Sequence, residues 1–182
     1  MTLVAVVLIT LLLRAQVVEA FKIPAGSVSM TPTLEPGDRF LVDRTPDPGD
    51  ITRGTVIVFD TPPRAATPER VLVKRVIGRP GDVIELLHGR VAVNGSLIAE
   101  PYLASGTVTS PRNENPAPAG CTAAGDSMRC VVAAGQVFVL GDNRSVSLDS
   151  RSFGAVPARS ITGVARVVVW PLSHAGGIET SS

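Results

Sequence analysis

Histidine and cysteine are scarce here, with two of each in 182 residues. That is too few for the usual zinc ligand sets, so neither a metal nor a cofactor is expected. Aromatic residues make up 4%, and 17 basic against 16 acidic side chains leave a net charge of +1. Such a composition supplies neither stacking platforms nor a basic footprint, so nucleic acid is not an expected partner. No G-x-x-x-x-G-K-[ST] or G-x-G-x-x-G string occurs, so nucleotide phosphates find no local cradle. Lysine is rarer still relative to its partner cation: Lys22 and Lys74 are the two among 17 basic residues. Hydrophobic residues, at 45%, suffice for a core, and the length suits one domain. Any chemistry must come from side chains.

Long apolar runs are also missing, except at the start. Met1 to Leu13 is apolar apart from Thr2 and Thr10; Arg14, Gln16 and Glu19 then interrupt a run that ends at Phe21. As a helix, residues 1–21 span ~31 Å, about one hydrocarbon core. A single-pass transmembrane anchor is the expectation, with Arg14 reaching toward polar surroundings. A cleaved secretory signal is the alternative, since Val18 and Ala20 form a small-residue cleavage pattern. Both place the remainder outside the cytoplasm, where Cys121 and Cys130 are expected to form a disulfide.

Three Pro-Gly-Asp tripeptides begin at Pro36, Pro48 and Pro80. Proline presets the second turn position and glycine accepts the positive φ of the third. Short Val- and Ile-rich runs follow, at 39–43, 55–59 and 83–87, with further strand candidates at 71–77, 90–93, 136–140 and 163–170. The expected fold is mostly antiparallel β behind one N-terminal helix. A β-rich domain is expected over 22–103 and 135–174. An irregular insert rich in Pro, Gly and Ala is expected over 104–134, and a flexible tail over 175–182.

Lys74 sits in Val71-Leu72-Val73-Lys74-Arg75-Val76-Ile77, with apolar residues at almost every neighbouring position. Arginine could not serve as a base there, because a guanidinium keeps its proton; a desolvated lysine can release one. The strand alone fits a solvated lysine at least as well. Neither His88, beside a Gly-Arg turn, nor His174, in a Gly-rich stretch, suggests a Ser-His-Asp triad. A Ser-Lys pair needs no histidine. Among many serines, Ser29 stands out by preceding Met30 and the Thr31-Pro32-Thr33-Leu34 turn just past the apolar segment, although turn capping is the commoner duty of such a serine.

The run Ile23-Pro24, Ser27-Val28-Ser29-Met30-Thr31-Pro32-Thr33-Leu34 and Gly37-Asp38 resembles the nucleophile box of bacterial type I signal peptidases. Lys74-Arg75-Val76-Ile77-Gly78 with Pro80-Gly81-Asp82 is similar to the lysine box of that family. Gly141-Asp142-Asn143-Arg144 through Leu148-Asp149-Ser150-Arg151 is similar to its third box, and the three occur in family order. The resemblance implies a membrane-bound serine endopeptidase with its catalytic domain on the extracytoplasmic side of the cell membrane. Its implied partners are membrane lipid and exported preproteins with small-residue, Ala-x-Ala cleavage sites.

By the same resemblance Ser29 is the nucleophile and Lys74 the general base. Ser147 orients the amine, and the Ser27 hydroxyl helps the Ser29 N–H form an oxyanion hole. Arg75, Asp142, Asp149 and Arg151 brace the site through ion pairs. Ile23, Pro24 and Met30 bind substrate, which adds as a strand. Ala25-Gly26 makes the loop before Ser29 two residues longer than in many members. The alternatives are a conjugative pilin-maturation type of Ser-Lys peptidase and a non-enzymatic exported β domain.

Overall fold

The computed structural model describes residues 18–46, 50–112, 114 and 116–180. The strands in chain order are β1 Val18–Lys22, β2 Arg39–Asp43, β3 Val56–Asp60, β4 Val71–Gly78 and β5 Val83–Leu87. Then follow β6 Arg90–Val93, β7 Ser96–Leu97, β8 Cys121–Ala124, β9 Ser127–Val131 and β10 Gln136–Leu140. A single helical turn, α1 Ser150–Phe153, precedes β11 Val156–Pro157, β12 Ile161–Trp170 and β13 Gly176–Gly177.

All pairings are antiparallel and build two sheets. The larger runs β1-β2-β12-β3-β4-β10-β11, with β13 added on β12; the smaller runs β7-β6-β5-β9-β8. The mostly antiparallel β fold expected from the turns and the Val/Ile runs is the fold observed.

β3 shows how the sheet is covered. Its side chains alternate between two cores, Val56 and Val58 in one, Ile57 and Phe59 in the other. Successive residues of a strand point to opposite faces, so a continuous Val-Ile-Val-Phe run marks a strand buried on both sides. The first core joins Val56 and Val58 to Ile23, Met30 and Leu34, and so seats the segment carrying Ser29. A third core, around Ile84, Leu86, Met128 and Phe138, joins the smaller sheet to β10.

Three expectations need correction. Residues 18–21, expected to close the anchor helix, are strand: β1 pairs with β2 from Val18↔Asp43 to Lys22↔Arg39. Hydropathy does not distinguish an apolar edge strand from the end of an apolar helix. The rest of the expected anchor lies outside the described residues, and among the described ones no helix is long and apolar enough to cross a membrane.

The insert is not irregular throughout. Residues 121–131 form the β8–β9 hairpin, with Cys121 opposite Cys130 and a disulfide between them. Nor is the C-terminal segment loose, because Gly176 and Gly177 pair with Val168 and Val167, and Ile178 is buried in the first core.

Candidate active site

β4 carries two cations in succession, and the pleat sends them to opposite faces. The first is Lys74, which is 2% exposed. Its Nζ lies 2.8 Å from Ser29 Oγ and donates to the Val73 carbonyl oxygen at 2.9 Å. Burial pushes the amine from an ordinary 10.5 down to about 8, against the opposing pull of the Asp149, Glu69 and Asp142 carboxylates. Desolvation acts on the charged form, so this amine releases its proton far more readily than a solvated one.

Ser29 lines a cleft of about 250 Å³. Ile23, Pro24, Ser27 and Met30 line one side, and the segment from Glu69 to Lys74 lines the other. Pro24 is exposed, whereas Ile23 and Met30 are buried and form part of the cleft's apolar floor. The two extra residues, Ala25 and Gly26, are absorbed by a turn closed by the Ser27 N–H donating to the Pro24 carbonyl at 3.0 Å. That turn leaves Ser27 and Ser29 on the same cleft. The half of β4 before Arg75 has only β3 beside it, because β10 pairs with Arg75, Val76 and Gly78 alone.

Arg75, the second cation, is buried completely and grips Asp142 with two hydrogen bonds, Nε to Oδ1 at 2.9 Å and Nη2 to Oδ2 at 2.7 Å. Its remaining donors reach Thr33 Oγ1 and the carbonyls of Gly54 and Glu179, and its face stacks 3.9 Å above the Tyr102 ring. A planar fork with every donor occupied can stay charged in a dry interior. Arg151 holds Asp149 in the same two-pronged way, at 2.8 Å for each contact. Burial alone would raise the Asp149 carboxyl, but Arg151 and the Gly141 N–H hold it below the usual carboxylate range.

Sequence reasoning missed several residues that join these parts. The Asn143 N–H donates to the Ser29 carbonyl at 3.1 Å, and its side chain donates to Thr31 Oγ1 at 3.0 Å. Arg144, fully buried, bonds the Gly141 carbonyl and pairs with Glu100. A Cβ on Gly141 would overlap Ser147 Oγ and come within 2.5 Å of the Ser29 carbonyl oxygen, so only glycine fits there. Asn143 and Arg144 stand beside Asp142 in the chain, but their separate targets depend on a turn that no local pattern announces.

Ser147 departs from its expected duty. Its Oγ is buried and has no hydrogen-bond partner among the described residues. The amine instead spends its hydrogen bonds on Ser29 and Val73, while Ser147 Oγ packs beside Gly141. Among the described residues no cluster of metal-ligating side chains occurs.

A family model described as signal peptidase, peptidase S26, matches residues 1–170. A signal peptidase I of Bacillus amyloliquefaciens is 34% identical over 167 residues, covering 91% of this chain and 80% of that one. Signal peptidase I T of Bacillus subtilis is 32% identical over 173 residues, covering 94% and 83%. The crystal structure of a signal peptidase I from Enterococcus faecalis aligns at 33% identity and a TM-score of 0.46, over 62% of this chain and 94% of that one. On the breadth of the family match and the identity to these relatives, the chain belongs to the signal peptidase family, peptidase S26, and is a hydrolase of peptide bonds.

Proposed function

We propose that the chain is a membrane-bound signal peptidase that removes signal peptides from exported preproteins, with Ser29 as nucleophile and Lys74 as general base. One observation carries the reading: a buried amine, its pKa lowered to about 8, lies 2.8 Å from a serine hydroxyl in the lining of a cleft.

The neutral Lys74 amine takes the Ser29 proton as Oγ attacks the scissile carbonyl. The resulting oxyanion is held by the Ser29 N–H, with the Ser27 hydroxyl beside it in the same cleft. Collapse breaks the peptide C–N bond, and the Lys74 ammonium returns its proton to the leaving amine. The mature protein departs, and the signal peptide stays as an ester on Ser29. Lys74 then deprotonates a water that attacks this ester; the acyl C–O bond breaks, Ser29 Oγ takes the proton back from Lys74, and the signal peptide leaves with a new C-terminal carboxyl group.

Substrate adds as a strand between the Ile23-Pro24 segment and the half of β4 that β10 leaves uncovered. A cleft of about 250 Å³ with Ile23 and Met30 in its lining favours small side chains, in keeping with Ala-x-Ala sites. In this reading an anchor formed by residues before Val18 keeps the enzyme on the extracytoplasmic face of the cell membrane. Confinement to the surface that preproteins cross raises their effective concentration.

The test is processing of a secreted precursor by the detergent-solubilised full chain. Ser29→Ala and Lys74→Arg should both abolish cleavage, the second despite retaining the charge. Normal turnover by Lys74→Arg refutes the assignment. Cleavage of prepilin but of no ordinary secreted precursor would favour a pilin-maturation role.

A further inference from the structure

The family match ends at residue 170, yet the chain beyond it returns to the site at three points. His174 Nδ1 lies 2.9 Å from Asp38 Oδ2, and the Asp38 carbonyl in turn accepts the Ile23 N–H at 2.8 Å. Ile178 donates its N–H to the Arg166 carbonyl at 3.0 Å and buries its side chain with Ile23, Met30 and Leu34. The Glu179 carbonyl then accepts a hydrogen bond of 2.6 Å from Arg75 Nη1. These contacts fall on the loop that carries the nucleophile and on the strand that carries the amine.

We propose that residues 174–179 are a clasp that positions the Ser29–Lys74 pair, acting through Arg75. The proposal rests on the catalytic reading above. Arg75 follows Lys74 on β4, and a buried guanidinium needs an acceptor for each donor to hold one orientation. Glu179 supplies one of them from its main chain. With that acceptor in place, Arg75 fixes Asp142 and hence the adjacent Asn143, whose N–H holds the Ser29 carbonyl. The path runs from the clasp through Arg75, Asp142 and Asn143 to the backbone of the nucleophile. None of the clasp residues lines the substrate cleft itself, but Ile178 packs on Ile23 and Met30, which do, so it is the Glu179 contact with Arg75 that bears on the chemical step.

A double-mutant cycle tests this in the full chain, using a peptide with a signal-peptidase cleavage site. The first variant ends at Ile178, which keeps the packing on Ile23 and Met30 and removes Glu179; the second is Arg75→Lys, which keeps the charge and removes the donor aimed at Glu179. Truncation should lower kcat about tenfold, the rate equivalent of losing a hydrogen bond to a charged group, with KM within about twofold. Truncation of the Arg75→Lys protein should lower its kcat further by less than about twofold, because the path is already cut. Equal losses from truncation in both backgrounds would overturn the proposal, as would a truncated enzyme with normal kcat.

Should the truncated chain fail to fold, Ile178→Ala in the intact chain replaces it. That variant should lower kcat less and raise KM as well, since Ile178 packs on the cleft-lining Ile23 and Met30, and Arg75→Lys should suppress the kcat loss alone; a change in KM alone would overturn the proposal. Ser29→Ala, run alongside, separates the two readings: residual cleavage there condemns the dyad, whereas a normal truncated enzyme beside an inactive Ser29→Ala condemns the clasp alone.

Discussion

A buried lysine is a burden on the fold, and Lys74→Met exposes its size. The ordinary amine pKa of 10.5 falls to about 8 in the folded chain. At 1.36 kcal/mol per unit, burying the ammonium costs ~3 kcal/mol. The sign follows from linkage. Below pH 8 both states carry the proton, so the folded state bears the whole penalty. Between pH 8 and 10.5 the unfolded chain holds a proton that the folded one has released, so stability rises with pH. Above 10.5 the penalty is gone.

Methionine fills similar space without charge, but it gives up the amine's hydrogen bonds to Ser29 and Val73, worth about 1 kcal/mol. The net gain at pH 7 is therefore about 2 kcal/mol, a rise in Tm of roughly 4–8 °C for a chain of this size. The assay is thermal unfolding of the detergent-solubilised wild type and variant at pH 7 and above pH 10.5. Above pH 10.5 the advantage should reverse to a deficit of about 1 kcal/mol, the hydrogen bonds that methionine lacks, while activity is lost at every pH. A Lys74→Met protein less stable than wild type at pH 7, or a gap that does not change with pH, would refute this account of a desolvated catalytic amine.

Other outcomes follow from the same geometry. If Lys74 is the base, as proposed, the rate should climb with pH along an acid limb centred near pH 8, because the proposed step needs the unprotonated amine; a flat profile from pH 6 to 9 contradicts the proposal. Gly141→Ala should lower kcat by roughly 100-fold in steady-state assays, because the new methyl displaces Ser147 or the Ser29 main chain. Asp142→Asn leaves Arg75 buried without its carboxylate and should cost about 3–5 kcal/mol in urea unfolding.

Much of the fold was readable in the chain. β2, β5, β6 and β10 fall on the residues expected, since each is a short run rich in β-branched or aromatic side chains bounded by turn formers. The β8–β9 hairpin was not readable. Cys-Thr-Ala-Ala carries little β-propensity, and its partner strand lies across the hairpin. β13 is two glycines, which have no pattern at all; only the side of β12 makes them a strand.

The site divides along the same line. Composition narrowed the chemistry, since two histidines and two cysteines are too few for a usual zinc set; it chose none of the many serines, and Ser29 and Lys74 were singled out by the resemblance of their segments to the signal peptidase boxes. Whether Lys74 could act as a base was not decided locally, because its strand allowed a solvated amine equally well. Burial in the folded chain lowers its pKa to about 8 and the fold sets it 2.8 Å from Ser29 Oγ, which supports the proposed role; the loop carrying Ser29 is remote in the chain and meets β4 only when the sheet forms. A proton affinity depends on everything within a few ångströms, and that surrounding exists only in the folded protein.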